Sequence, residues 1–231
     1  MIMPNCLATI HDDLTALMRS GAEYITTHGW IQGQMEDEHG ATCLTGSLRA
    51  CSPQPGDWLI ARAVARSLDR AENWNDEDDR TRDEVTAWLR TVEVTDADLA
   101  ETFGPQWVEI VALVRRAAVL TSGEVERMNA VRGTAWHAAG DAAGYAAGDA
   151  ARAEDRYAAW AAARDAVERA EARYAGQTPA RTVARALVVR DLIGQHGYTQ
   201  DHYDILTLPW RQAVGPIHPD DAPVESAHDP S

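Results

Sequence analysis

Apolar side chains first settle into a rhythm of threes and fours at Ile10, Leu14, Leu17, Met18 and Ile25, the spacing that lines one face of a helix. Thr9 can cap its start and Gly29 can end it in a left-handed conformation. The segment TCLTGSLRAC (42–51) predicts a short second helix, which Pro53 and Pro55 terminate. Asp57 then caps a helix whose apolar face runs through Ile60, Ala63, Val64 and Leu68. Thr81 and Glu84, three apart, have the spacing of a capping box and place a helix from about Arg82 to Thr91. Thr95, Asp96 and Asp98 suit one helical turn, and Pro105 suits the first position of the next helix. That helix, QWVEIVALVRRAAVLT, is apolar around most of its circumference, which predicts a central, covered position.

Residues 135–166 break the rhythm. Half of them are alanine, and Gly140, Gly144 and Gly148 recur every four residues. On a helix such a row winds by about 40° per step, beside a smooth alanine stripe. Each glycine costs roughly 1 kcal/mol against alanine in a helix interior, so the row predicts a long helix packed closely on a neighbour or on a second copy of the chain. Further on, Thr178 and Pro179 start a helix through Val183, Leu187, Val188 and Leu192 that ends near Gly197. Two short helical pieces, DHYDIL and PWRQAV, lead to a Pro- and Asp-rich segment that predicts a solvated tail.

These patterns give an all-α fold: a small helical domain over 1–92, an Ala-rich helical bundle over 93–215 and a tail over 216–231. Composition adds sign and setting. The chain of 231 residues carries a net charge of −15, and every basic residue is arginine. The lysine-free, Ala/Arg/Asp/Gly-heavy usage points to a GC-rich genome. The acidic excess lies mainly in residues 1–130 and disfavours direct nucleic-acid binding. Cys6, Cys43 and Cys51 follow no paired spacing, which predicts reduced thiols in the cytoplasm. No stretch reaches the roughly 18 apolar residues of a membrane span.

Candidate chemistry is sparse. GxxxxGK, GxSxG and HExxH are missing, and NWNDEDDR (73–80) lacks the central glycine and closing glutamate of a calcium loop. No metal or cofactor set emerges. Cys43, at the start of a predicted helix, is a candidate thiol nucleophile with His28 or His39 as its base. Trp30, Gln32, Trp74, Asn75, Asp76 and Arg80 offer stacking area and directed hydrogen bonds for a small ligand. The phrase Ile-x-x-His-Gly-aromatic-x-Gln occurs twice, at 25–32 and 193–200, and reads as the capping of two helix ends.

The order HGWIQG, CLTGSLR and NWNDEDDRTRDEV resembles a small domain family of actinobacteria and their phages marked by GWxQG, CLxGAL and WNDxxxRTxxEV. The resemblance spans about residues 10–91, with Ser47 in place of the usual alanine, and it implies origin and domain limits but no activity. The Ala-rich segment and the ending ALVVRDLIGQHGYTQDHYDILTLPWRQAVGPIHPDD resemble C-terminal regions of proteins from the same source. The expectation is a non-enzymatic, phage-encoded interaction protein acting on a host component in the cytoplasm, with self-association through the Ala/Gly helix as a further contact. A small-ligand or Cys-dependent enzyme domain within 10–91 and an acidic mimic of nucleic acid are the alternatives.

Overall fold

A computed structural model describes residues 10–68, 72–132, 134–170 and 179–221. Thr9, Cys6 and Thr178 lie outside the described residues, as does the tail beyond residue 221. The fold is all-α, and among the described residues no strand forms, only isolated bridges of Thr42 with Trp30 and Glu36. Contacts divide the chain into two compact units, Ile2–Thr102 and Phe103–Ser231.

In the first unit α1 (Ile10–His28) buries Ile10, Leu14, Leu17, Met18 and Ile25, and Gly29 ends it at φ 102°. It packs on α2 (Leu44–Cys51), α3 (Asp57–Ser67) and α5 (Arg82–Thr91). The approach to α2 is close, because a Cβ on Gly21 would stand 3.0 Å from Ser47 Oγ and 3.2 Å from Leu48. Asp57 is the first residue of α3 and not its cap; Gly56 holds that position. Thr81 and Glu84 complete the capping box of α5. After α5, the Val94 N–H donates to the hydroxyl of Thr15 on α1 at 2.9 Å. Thr95 and Asp98 then open α6 (Asp96–Phe103), which runs for two turns where one was expected. Between α3 and α5 lies the single turn α4 (Glu72–Asn75).

The second unit begins with α7 (Trp107–Ala117), preceded by Gln106 as its cap, so Pro105 stands in the turn before the helix and not in its first position. A second capping box, Thr121 with Glu124, starts α8 (Ser122–Val131). The Ala-rich segment forms two helices and not one: α9 (Thr134–Ala153) and α10 (Tyr157–Ala170). Asp155 adopts φ 53° between them, with Arg156 N–H bonded to Ala151 O at 2.7 Å and Asp155 N–H to Arg152 O at 3.4 Å, the Schellman pattern with Asp where glycine is usual. Arg156 pairs with Asp191 at 2.5 Å and Glu154 with His196 at 2.8 Å, which ties the break to the turns after α11 (Pro179–Val188).

The centre of this unit is α11, which contacts α7, α9, α10 and α12 and buries Val183, Leu187 and Val188. The sequence placed α7 there; α7 instead lies against α10 and α11 and leaves Ala112 exposed. The two short pieces near the end are one helix, α12 (Gln200–Ala213), with Pro209 inside it. Proline lacks the N–H that would bond Ile205 O, and the indole N–H of Trp136 on α9 reaches that carbonyl at 2.9 Å. Residues 216–221 are anchored although Pro216, Pro219 and Asp220 are exposed: the Asp221 carboxylate accepts from Tyr203 Oη and from the N–H groups of Ile217 and His218.

Candidate functional site

The three motifs of the first unit meet at Asn75, whose side chain is 1% exposed. Its Oδ1 accepts from Trp30 Nε1 at 2.9 Å and from the Leu44 N–H at 3.1 Å, while its Nδ2 donates to Asp76 Oδ1 at 2.7 Å and to Ile31 O at 3.4 Å. The amide therefore uses both of its ends on protein groups. Gln32 Nε2 donates to the carbonyls of Asn75 and Glu77 at 2.9 and 2.8 Å, and Asp76 accepts the Gly33 N–H at 2.9 Å. Trp30, Gln32, Asn75 and Asp76 thus converge, but on one another.

Arg80 closes the far side. Its guanidinium stacks on Trp74 at 4.3 Å, donates through Nε to Trp74 O at 3.2 Å and pairs with Glu77 and Glu84. Trp74 lies against Trp88 with ring centres 5.9 Å apart. The arrangement is a clasp: the loop 29–43 is fastened to α4 and to the start of α2. The hydrogen bonds of Trp30, Gln32, Asn75 and Asp76 run to the segments that they join, which makes the arrangement a brace.

Position 46 has a steric reason to be glycine. A Cβ there would collide with Met35 O, the same carbonyl that accepts the Cys43 N–H at 3.3 Å. Cys43 is 7% exposed and serves as the N-cap of α2, its sulfur accepting the Gly46 N–H at 3.4 Å. His28 stacks on Tyr24 at 4.0 Å and its Nδ1 lies 3.1 Å from Tyr24 O, on the exposed end of α1, and His39 is also exposed. The thiol is thus a helix cap in the core. The second copy of the His-Gly phrase is not a helix end: His196 and Gly197 both take positive φ in a turn that follows a short 3-10 segment, Arg190–Leu192.

The nearest neighbours of Gly140 and Gly148 in the glycine row of α9 are indole rings. A Cβ on Gly140 would stand 2.9 Å from the ring of Trp136, and one on Gly148 would touch the ring of Trp160 on α10 at 3.4 Å. Gly144, between them, faces open space with nothing within 4 Å. The alanines carry the packing instead, with Ala143, Ala147, Ala150 and Ala151 buried. The sequence showed the spacing of the row but not the two indoles that use it.

Two polar features had no sequence signal. Asp57 and Arg62 of α3 are buried, and a cluster of Glu109, Arg190 and His218 sits on the second unit with His218 Nε2 3.2 Å from Arg190 Nη1 and 3.9 Å from Glu109 Oε1. They are scattered along the chain and become neighbours only on folding. Among the described residues, no group of three or more His, Cys, Asp or Glu is placed to hold a metal ion, and no helix is long and apolar enough to cross a membrane.

No curated protein and no solved structure matches the chain. Residues 10–94, which hold the clasp and the helices it braces from the start of α1 to Val94, match the model of a family of unknown function, DUF6197.

Proposed function

We propose that the chain works by binding, as a non-enzymatic interaction protein that acts in the cytoplasm on a component of the host cell and is encoded by a phage of GC-rich actinobacteria. The observation that carries the reading is the internal bonding of the clasp: Trp30, Gln32, Asn75 and Asp76 direct hydrogen bonds to one another and to the backbone of the segments they join. The origin rests on the motif resemblance and on the lysine-free composition. Large aromatic surface is offered to a partner by the second unit, where Tyr145 is 74% and Tyr157 46% exposed. The alanine face of α9 is consumed inside its own unit, so a partner on this helix meets Tyr145 and not the small residues. Mimicry of nucleic acid finds less support, because Arg19, Arg80 and Arg90 interrupt the acidic surface with ion pairs to Glu93, Glu84 and Glu23.

Affinity purification of the tagged protein from its host, followed by measurement of direct binding to the component retained, tests the reading. Retention at high salt, where exposed ion pairs are screened, is the expected result. The Cys43→Ser variant separates binding from thiol chemistry, since serine caps a helix at least as well. A Cys43→Ser protein that folds normally yet loses its biological effect would overturn the non-enzymatic reading.

A further inference from the structure

The two indoles that use the glycine row stand at either end of a groove in the second unit. Gly140 and Gly148 are eight residues apart on α9, about 12 Å along the axis, with Gly144 midway. The groove holds about 290 Å³ and is floored by Gly140 and Gly144 and walled by Trp136 and Trp160. That volume lies at the small end of ligand pockets, enough for one flat ring system and a substituent.

Both walls carry a guanidinium. Arg132 stacks on Trp136 at 4.7 Å and Arg185 on Trp160 at 4.0 Å, and all four residues line the groove. Arg185 differs from the neighbouring arginines. Arg164 is paired with Asp165 and Arg181 with Glu168, whereas among the described residues no carboxylate forms an ion pair with Arg185. Its Nε is buried without an acceptor, and so is the indole N–H of Trp160, whose side chain is 9% exposed. Burial first, then the charge of Arg164, pushes the Arg185 guanidinium below the ordinary arginine value. Those two buried nitrogens are too enclosed for a ligand to reach, so what the groove offers an anion is the half-buried guanidinium of Arg185 itself, held by stacking and without an ion-pair partner among the described residues.

The floor supplies the shape. Trp136 is locked by its bond to Ile205 O, which Pro209 frees, so this wall has a fixed orientation. Gly144 leaves bare helix backbone between the indoles, a flat surface that any larger residue would interrupt. Tyr145 and the exposed carboxylate of Asp141 stand on the lining as well, and Asp141 repels an anion from its own end of the groove. We propose that this groove binds a small planar ligand carrying one anionic group, its ring lying over Gly144 between Trp136 and Trp160 and its anion on Arg185. The inference goes beyond the binding reading above and does not depend on it.

Isothermal titration calorimetry on the full chain tests it with 2-naphthoate and adenosine 5′-monophosphate as ring-bearing anions, 2-naphthamide and adenosine as their neutral counterparts, and inorganic phosphate alone. At least one ring-bearing anion should bind with one-to-one stoichiometry, about tenfold or more tighter than its neutral counterpart. Preference for the naphthoate assigns the anion as a carboxylate, and preference for the nucleotide assigns it as a phosphate. Arg185→Gln should weaken binding by about tenfold or more, and Gly144→Leu, which fills the floor where the fold has room, should abolish it while circular dichroism and the melting temperature show an intact fold. Arg185→Gln keeps the test open if the leucine variant fails to fold. The proposal is overturned if no ring probe binds at millimolar concentration, if phosphate alone binds as tightly as the nucleotide and the naphthoate, or if folded variants bind as the parent does.

Discussion

Asn75 shows what a single side chain does here. Replacing it with alanine strands the indole N–H of Trp30 and the backbone N–H of Leu44 in a buried place, each worth about 1–3 kcal/mol. Asn75→Ala should therefore cost about 3 kcal/mol in chemical denaturation of the first unit. Gly46→Ala should cost at least as much, because the new methyl collides with the Met35 carbonyl, a backbone atom that cannot swing aside. The residue types of the clasp were legible in the motifs, and so was their convergence. Their role was not: a Trp, Gln, Asn and Asp that point at one another have the same composition as those that line a pocket, and only the hydrogen bonds tell brace from binding site.

At the scale of elements, capping governs acid sensitivity. The Thr81 hydroxyl and then its backbone N–H hold Glu84 below its ordinary pKa of 4.5, and the Thr121 backbone N–H, against a smaller opposing effect of burial, does the same for Glu124. A carboxylate whose folded pKa is depressed stabilises the fold above its unfolded pKa, and that contribution fades as pH falls below about 4.5 through the folded value. Thermal melts should lose stability over that window, and a Glu84→Gln/Glu124→Gln double variant should show a shallower loss.

The link between α9 and α12 is testable as a cycle. Trp136→Phe strands Ile205 O and should cost about 1–3 kcal/mol, and Pro209→Ala, which restores the helical donor, should recover more in that background than in the parent. Gly144→Ala should raise stability by about 0.5–1 kcal/mol, since the methyl meets nothing and the helix loses a flexible residue. The capping boxes were readable because they are local. The break at Asp155 was not, since an αL residue that is not glycine carries no signal in the alanine pattern.

For the whole molecule, the limits of the first unit can be measured. Val94 is 2% exposed and Leu99 fully buried, and Thr102 lies 2.7 Å from Ser67 through their hydroxyls. A fragment ending at Thr102 should therefore unfold cooperatively in urea, and one ending at Val92, which discards those contacts, should be several kcal/mol less stable. Equal stability of the two fragments would place the end of the unit before Val94.

The sequence by itself determined the helical class, most helix positions and the start and stop signals, because periodicity and capping act over one or two turns of chain. Tertiary structure alone decided which helix is central, that Pro209 frees a carbonyl for Trp136, that the glycines serve two indoles and a groove, and that the motif residues brace a loop. Most of these depend on atoms 30 or more residues apart in the chain, such as Trp136 and Ile205 or Trp30 and Asn75. Nothing local fixes such pairs: the same residues at the same spacing are compatible with several packings, and burial in one of them selects which partners meet.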